Sequence, residues 1–252
     1  MNIVMLQTDI VWAQPQANIK CAEQLMDSMP GADLYVLPEM WATGFVTQPE
    51  GLVETESESA PLQWMVSTAR SRQCALSGSL AVRLDDGTYR NRHYFVTPTT
   101  VSCYDKRHLF AHGHEDEHYT RGQQPVVVQW QGFRLLLLTC YDLRFPVWAR
   151  WGRAGQYDAI VLVANWPQRR QTAWDVLVRA RAIENQAYVV AVNRVGTDAA
   201  GISYEGGSMV VDPVGRVVAE GSKNIEQAIA CQLDMDKLQQ MRRHFRVLDD
   251  RD

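Results

Sequence analysis

The sequence predicts an α/β fold, a sandwich in which helices cover a mixed β-sheet. Short apolar segments bounded by turn residues recur along the chain, and many are too apolar to have a solvated face, as expected of buried strands. Between them lie segments whose apolar residues recur at helical spacing on one side. Hairpin turns also occur, so the sheet cannot be purely parallel. Buried strands that alternate with one-sided helices indicate layered α/β packing.

This pattern predicts particular strands, helices and hairpin turns. Strands are predicted at Ile3 to Gln7, Leu34 to Leu37, Ala75 to Val82, Val126 to Trp130, Leu135 to Thr139 and Ala159 to Val163. Helical stripes are formed by Ile19, Ala22, Leu25, Met26 and Met29, and by Leu62, Met65, Val66 and Ala69. The polar stretch Glu54 to Glu58 predicts a surface loop before the second helix. Hairpin turns are predicted at Asp85 to Gly87, Trp130 to Gly132 and Asp212 to Gly215.

Two further helices are expected in the last third of the chain. A helix from Thr172 to Gln186 would place an apolar side inward and Arg179 and Arg181 elsewhere, and it would serve core packing or subunit contact; its predicted apolar side is Trp174, Leu177, Val178 and Ile183. The segment from Asp234 to Asp252 is charged and predicts a short helix followed by a tail.

Composition narrows the class of protein. The chain has 252 residues, 46% of them hydrophobic, which is enough to bury the core of one large domain. Its net charge of -4, with no long run of one sign, gives no electrostatic footprint for nucleic acid or a membrane surface. The N-terminus lacks the features of a secretion signal, and no stretch approaches a membrane span, so we expect a soluble, unprocessed chain. Five scattered cysteines without CxxC spacing favour free thiols in a reducing cytoplasm.

Cys140 directly follows the apolar run "LLLLT", at the strand end where α/β sheets present reactive groups. Taken alone, such a cysteine is either a small core residue or a nucleophile, and a nucleophile needs a base or a cation nearby. Four histidines crowd into "RHLFAHGHEDEHY", where a metal could bind between His112 and His118. Because Gly113 interrupts the segment and no helical HExxH pattern is present, a solvated loop is the better interpretation.

Two other charged residues follow strand-like runs. Glu39 lies among Leu37, Met40 and Trp41 in "LPEMWATGF", where desolvation would raise a carboxyl pKa toward values useful for proton transfer. The alternative role for Glu39 is to cap backbone amides at the strand end. Lys106, in "YDKRHLF", is either a surface charge or an ammonium that faces the same edge.

These motifs together resemble the nitrilase superfamily of carbon-nitrogen hydrolases. "LPEMWATGF", "YDKRHLF" and "CYDLRFP" occur in the family's order, and "VANWP" and "RARAIENQAYVVAVNRVG" also match, over about residues 1 to 234. The resemblance implies a four-layer α-β-β-α sandwich with mixed sheets. It also implies that Glu39 is the general base, Lys106 the catalytic lysine and Cys140 the nucleophile, with no cofactor and no metal. The family's second glutamate corresponds to Glu115, with Glu117 as the alternative.

Within the superfamily, the motifs look most like those of omega-amidases, which hydrolyse the terminal amide of 2-oxoglutaramate and 2-oxosuccinamate. The alternatives are an amidase for another small amide or an N-carbamoyl compound, and a binding module without catalysis. For an omega-amidase, Lys106 and the backbone N–H of Tyr141 would bind the oxyanion. Arg144 would bind the substrate carboxylate or pair with Asp142. Phe45 and Trp166 are candidate pocket walls or ordinary core aromatics.

The resemblance also bears on assembly. Residues 1–234 would form the hydrolase domain, and residues 235–252 a C-terminal helix and tail at a subunit interface. A homodimer is implied, because family members associate through the predicted Thr172 to Gln186 helix and through their C-terminal segment. Relatives tend to read "FP" where this chain has "HFRVLDD", so the packing of the tail is where this chain departs from the pattern.

Overall fold

The computed structural model describes residues 1–250, and its strands form two six-stranded sheets and one short ribbon. In chain order the strands are β1 Asn2–Gln7, β2 Leu34–Val36, β3 Ala75–Arg83, β4 Tyr89–Val96, β5 Val101–Asp105, β6 Val127–Trp130, β7 Phe133–Thr139, β8 Ala159–Ala164, β9 Tyr188–Asn193, β10 Val195–Thr197, β11 Ser203–Glu205, β12 Met209–Val211, β13 Val217–Glu220 and β14 Gln227–Gln232.

The helices lie between these strands and at the C-terminal end. They are α1 Pro15–Ser28, α2 Ala60–Arg72, α3 Glu115–His118, α4 Pro146–Ala149, α5 Gln171–Asn185 and α6 Met235–His244. A 3₁₀ helix, Cys140–Arg144, begins directly after β7. Further 3₁₀ turns are Glu56–Glu58, Ala111–Gly113, Gln168–Arg170 and Val247–Asp249.

Each sheet has three parallel strands at its centre and antiparallel strands at its edges. The first sheet has the order β14-β1-β2-β3-β4-β5, with β1, β2 and β3 parallel. The second has the order β13-β12-β9-β8-β7-β6, with β7, β8 and β9 parallel. Since β4 is antiparallel to both β3 and β5, β5 runs in the same direction as β2, and its carboxyl end lies at the same sheet edge.

Three apolar clusters fix the layers. Side chains of both sheets share the central cluster, for example Met5 and Val36 with Leu137 and Val161. A second cluster joins the first sheet to α1 and α2, and a third joins the second sheet to α5. The order of layers is therefore helix, sheet, sheet, helix, which confirms the four-layer α-β-β-α sandwich with mixed sheets.

The predicted elements agree closely with the observed ones. Each predicted strand is present with ends within two residues of the prediction, and the turns at Asp85 to Gly87, Trp130 to Gly132 and Asp212 to Gly215 connect β3 to β4, β6 to β7 and β12 to β13. The C-terminal helix begins at Met235, because the Asp234 side chain accepts a hydrogen bond from the Lys237 amide and caps it. Residues 251 and 252 of the predicted tail lie outside the described residues.

The predicted orientation of the Thr172 to Gln186 helix is partly wrong. Ile183 is 52% exposed, whereas Arg181 is 3% exposed. The buried face of α5 follows Trp174, Val178 and Ala182, so Ile183 turns away from the sheet. Arg181 is tolerated inside because two of its guanidinium nitrogens donate, one to the Leu143 carbonyl and one to Glu184, whose carboxylate pairs with the charge.

Candidate active site

Four polar residues follow strands at the edge where the two sheets meet. Glu39 lies three residues beyond β2, and Lys106 follows β5. Cys140 and Asn165 directly follow β7 and β8 of the second sheet. The backbone N–H of Asn165 donates to Glu39 Oε2 at 2.9 Å, so the strand ends of both sheets meet at one place. The carboxyl ends of these parallel strands converge as expected for a ligand site in an α/β fold.

Lys106 lies between two carboxylates and is completely buried. Its Nζ donates to Glu39 Oε1 and to Glu115 Oε2, each at 2.8 Å, and all three side chains are 0% exposed. Burial lowers the pKa of Lys106, but the charges of Glu115 and Glu39 outweigh burial and hold that pKa above its usual value. Lys106 is therefore a fixed cation, and its interpretation as a surface charge is excluded.

Glu115, rather than its neighbour Glu117, belongs to this cluster. Its Oε2 accepts hydrogen bonds from Lys106 and from the Phe110 amide, the latter at 2.7 Å. Burial raises the pKa of Glu115 above its usual value, and the charge of Lys106 opposes that rise. Glu117 is exposed and pairs with His114 at 2.7 Å. The buried geometry therefore favours Glu115 of the two sequence candidates.

Asn91, on β4, joins the two carboxylates and was not identified from the sequence. Its Nδ2 donates to Glu39 Oε1 at 2.7 Å and to Glu115 Oε1 at 2.8 Å. Its Oδ1 accepts from the Ser79 hydroxyl at 2.8 Å. Each donor and acceptor of this buried amide is used, so Asn91 fixes the separation of the two carboxylates. The available sequence signal was a polar residue on the inward face of a strand.

Cys140 has a strained backbone at the start of the 3₁₀ helix. Its φ is 45°, a left-handed conformation that non-glycine residues seldom adopt, and such strain often marks functional sites. Burial first, and then the charge of Glu39, raise the pKa of the Cys140 thiol well above its usual value. The Sγ atom lies 3.9 Å from the Asn165 carbonyl oxygen. The resting sulfur is therefore a thiol beside a carboxylate.

Asp142 connects the cysteine turn to the lysine loop. Its Oδ2 accepts from the Tyr104 hydroxyl at 2.8 Å and from the Thr139 amide at 3.0 Å. Its Oδ1 accepts from the backbone N–H of His108 at 3.0 Å, and His108 Nδ1 lies 2.8 Å away. Because Tyr104 and His108 flank Lys106 in sequence, this buried carboxylate fixes the lysine relative to Cys140.

A cavity of about 260 Å³ opens over Cys140. All four predicted substrate-binding residues line it: Phe45, Tyr141, Arg144 and Trp166. The Lys106 ammonium lies 5.4 Å from the centre of the Phe45 ring. Further lining residues that the sequence did not suggest are Phe110, Arg169, Arg170 and Tyr204.

Arg144 does not pair with Asp142. The oxygens of Asp142 accept hydrogen bonds from Tyr104, His108 and Thr139. The Arg144 guanidinium instead lies 5.0 Å from the centre of the Trp166 ring. Of the two alternatives drawn from the sequence, the internal ion pair is therefore excluded. The remaining alternative is a guanidinium directed at the cavity.

The histidine-rich loop does not assemble a metal site in the described part of the chain. Within residues 1–250, no group of three or more histidine, cysteine, aspartate or glutamate side chains is arranged to hold a metal ion. His114 contacts a single glutamate, Glu117, and His118 contacts Glu50.

None of the helices formed by residues 1–250 has the length and apolar character that crossing a membrane would require.

The chain belongs to the carbon-nitrogen hydrolase family, whose model matches residues 3–243. Omega-amidase YafV of Escherichia coli is 39% identical over 253 residues, covering 100% of this chain and 97% of the relative. The 2-oxoglutaramate amidase of Bacillus subtilis is 33% identical, covering 99% of this chain and 96% of the relative. The crystal structure of XC1258 from Xanthomonas campestris, a CN-hydrolase superfamily protein with an arsenic adduct in the active site, superimposes with a TM-score of 0.95. The two sequences are 34% identical, and the superposition covers 100% of this chain and 97% of the XC1258 chain.

Proposed function

We propose that this hydrolase is an omega-amidase, which hydrolyses the terminal amide of 2-oxoglutaramate or 2-oxosuccinamate to the 2-oxo dicarboxylate and ammonia. The observation that carries the proposal is the buried group of Glu39, Lys106 and Glu115 beside Cys140 in a cavity that also contains arginines. The names of the relatives from E. coli and B. subtilis support the same activity.

In the first half of the reaction, Cys140 attacks the amide carbon. Glu39 takes the thiol proton as the S–C bond forms, because a thiol with a raised pKa is a poor nucleophile without a base. The carbonyl oxygen becomes an oxyanion, stabilised by Lys106 and by the backbone N–H of Tyr141. That N–H lies in the first turn of a 3₁₀ helix, where amides lack intrahelical partners. Glu39 then protonates the amide nitrogen, the C–N bond breaks, and ammonia leaves a thioester.

In the second half, water hydrolyses the thioester. Glu39, again a carboxylate, takes a proton from the water as its oxygen attacks the thioester carbon. The same donors stabilise the second oxyanion, and the C–S bond breaks to release the carboxylic acid product. The sulfur takes back the proton from Glu39, which restores the starting state. Lys106 acts as an electrophile throughout, because its raised pKa keeps it protonated. The scheme requires neither a cofactor nor a metal.

Glu115 has a positioning role in this scheme. It accepts a second hydrogen bond from the Lys106 ammonium beside the one to Glu39, which fixes the position of the cation that stabilises the oxyanion. A second carboxylate also offsets the cost of burying the ammonium, since a buried charge needs hydrogen-bonded partners.

The cavity supports binding of a small amide that carries a carboxylate. Arg144 supplies a guanidinium, which binds carboxylates through two parallel hydrogen bonds. Phe45, Trp166 and Tyr141 provide apolar walls for the methylene groups between the two ends of the substrate.

We further propose that the enzyme is a cytoplasmic homodimer. All five cysteines are free, as in proteins of a reducing compartment. Val176 and Ile183 on α5 are 59% and 52% exposed, and Phe245 after α6 is 65% exposed, so both of the segments expected at the interface present apolar side chains that a second subunit could cover. In this arrangement residues 1–234 form the hydrolase domain and residues 235–252 contribute to the interface. Sedimentation velocity should give the mass of two chains.

A second candidate is an amidase for another small amide or an N-carbamoyl compound. One relative, the (R)-stereoselective amidase of a Pseudomonas species, is 34% identical and covers 87% of this chain. Steady-state comparison of kcat/KM for 2-oxoglutaramate, a neutral amide and an N-carbamoyl amino acid separates the candidates. The omega-amidase proposal requires the highest value for 2-oxoglutaramate.

The mechanism is tested by Cys140→Ala, with Cys103→Ala as the matched control because Cys103 is exposed. We expect Cys140→Ala to abolish ammonia release from 2-oxoglutaramate while the circular dichroism spectrum is unchanged, and Cys103→Ala to retain wild-type turnover. Undiminished turnover in folded Cys140→Ala protein would exclude the thiol mechanism.

A further inference from the structure

Three arginines line the cavity without a counter-ion. Arg144, Arg169 and Arg170 form no ion pair with any carboxylate among residues 1–250. Guanidinium groups that line a concave site without partners are typical of anion recognition.

Two of these arginines, Arg169 and Arg170, were not suggested by the sequence, and Arg170 is the more firmly held. Its backbone carbonyl accepts a hydrogen bond from Trp166 Nε1 at 2.9 Å, and its guanidinium lies 5.0 Å from the centre of the Phe110 ring. The Phe110 ring in turn contacts the Tyr141 ring edge-on at 5.2 Å. Arg170 therefore points along the aromatic wall next to the residue that follows Cys140, whereas Arg169 is exposed.

The positive charges in this wall oppose one another. Burial lowers the pKa of Arg170, and the charges of Arg169 and Arg144 lower it further. The cavity wall includes Asp198, but its carboxylate is already used. Its Oδ1 accepts from the Ala200 and Ile202 amides, and its Oδ2 accepts from the Tyr204 hydroxyl. The cluster of arginines is therefore complementary to an anion supplied from outside the chain.

We propose that Arg170 is a specificity-determining residue, which with Arg144 forms the subsite for the substrate carboxylate at the end opposite the reacting amide. This inference rests on the proposed function. It adds Arg170 as a second guanidinium at the substrate carboxylate, and it explains why substrates with a carboxylate are preferred. Amides that lack a carboxylate lose these charge-assisted hydrogen bonds, so the enzyme selects acids with a terminal amide over neutral amides of equal length.

The kinetic test compares wild type with Arg170→Gln, Arg170→Lys and Arg153→Gln. Arg153 is exposed and outside the cavity lining, so its variant matches the change in net charge. Arg170→Gln should raise KM for 2-oxoglutaramate about 10- to 100-fold, with a smaller change in kcat, as expected for the loss of charge-assisted hydrogen bonds remote from the reacting carbon. Arg170→Lys should recover part of the loss, and Arg153→Gln should match wild type. The ratio of kcat/KM for 2-oxoglutaramate to that for pentanamide should fall in Arg170→Gln.

A second measurement does not depend on turnover. Glutarate should protect Cys140 of the wild type from alkylation by iodoacetamide, and Arg170→Gln should weaken that protection about 10- to 100-fold. If wild type does not hydrolyse 2-oxoglutaramate, the proposed function fails, and the arginine subsite is then judged by glutarate protection alone. Protection that is absent in wild type, or equal in wild type and Arg170→Gln, overturns the proposal. A ratio of the two kcat/KM values that is unchanged in Arg170→Gln overturns it as well.

Discussion

Asn91→Leu should damage both the stability and the activity of the enzyme. Asn91 is 1% exposed, and its amide donates to Glu39 at 2.7 Å and to Glu115 at 2.8 Å. Leucine has the same branching of side-chain heavy atoms as asparagine and can donate nothing, so the change removes both hydrogen bonds without leaving a cavity. It also leaves the buried Ser79 hydroxyl without the acceptor that it has at 2.8 Å.

The magnitude follows from these contacts. A hydrogen bond to a charged group contributes about 1.5–3 kcal/mol, and because Lys106 still holds both carboxylates we take the lower half of that range. The free energy of unfolding should therefore fall by about 3–5 kcal/mol, which lowers the melting temperature by about 6–20 °C for a chain of this length. The loosened carboxylates should reduce kcat by about 10- to 100-fold, since small misplacements of catalytic groups are costly.

Calorimetry and steady-state ammonia release measure these two effects separately. The matched control is Asn18→Leu, because Asn18 is 4% exposed and its hydrogen bonds go to the backbone of Val11 and Ala42 rather than to a carboxylate. That control should lose stability and keep its kcat. A kcat for Asn91→Leu equal to that of Asn18→Leu, at a temperature where both are folded, would refute the positioning role of Asn91.

Three other changes probe the charges of the site and the core. Lys106→Met should lower kcat about 100- to 1,000-fold with the fold retained by circular dichroism, and retained turnover would rule out its electrophilic role. Glu39→Gln should slow alkylation of Cys140 about 100-fold or more, while the exposed Cys103 reacts at the wild-type rate as an internal reference; equal rates at Cys140 in both proteins would argue against a general base. Burial lowers the pKa of His93 to about 3. His93 binds a proton below about pH 6.5 in the unfolded chain but not in the folded protein. The contribution of His93 to the free energy of unfolding is therefore fully present above that pH and is lost as the pH falls toward 3. Between about pH 8 and about pH 4.5 the wild type should lose about 3 kcal/mol more than His93→Gln in chemical denaturation, and parallel curves would contradict this.

Local patterns were enough to predict most of the fold. The apolar run before Cys140 and the turn chemistry at Asp85 to Gly87 depend on residues close in sequence, and both elements are present. Ile183 was misassigned because hydrophobic spacing gives a helix face only when the partner surface is known. Arg181 shows the opposite effect, since the Leu143 carbonyl that accepts its hydrogen bond lies on another element.

The parts of the site that the sequence did not suggest are those that depend on distant pairs. Asn91 and Glu39 are 52 positions apart, and Asn165 and Glu39 are 126 apart, so no local pattern connects them. Asn165 directly follows β8 as Cys140 follows β7, and the same strand-end reasoning could have identified it. Arg170 could not be distinguished from its neighbour Arg169 by sequence, because the difference is that Arg169 is exposed and Arg170 lies against the Phe110 ring.

The central claim is that Cys140 carries the acyl group during turnover. The most direct measurement is mass spectrometry of the enzyme quenched in acid while it hydrolyses saturating 2-oxoglutaramate. The thioester mechanism predicts that the peptide containing Cys140 gains the mass of the 2-oxoglutaryl group, and that hydroxylamine removes this mass. Turnover at full rate without any substrate-derived mass on Cys140, or with that mass on another residue, would contradict it.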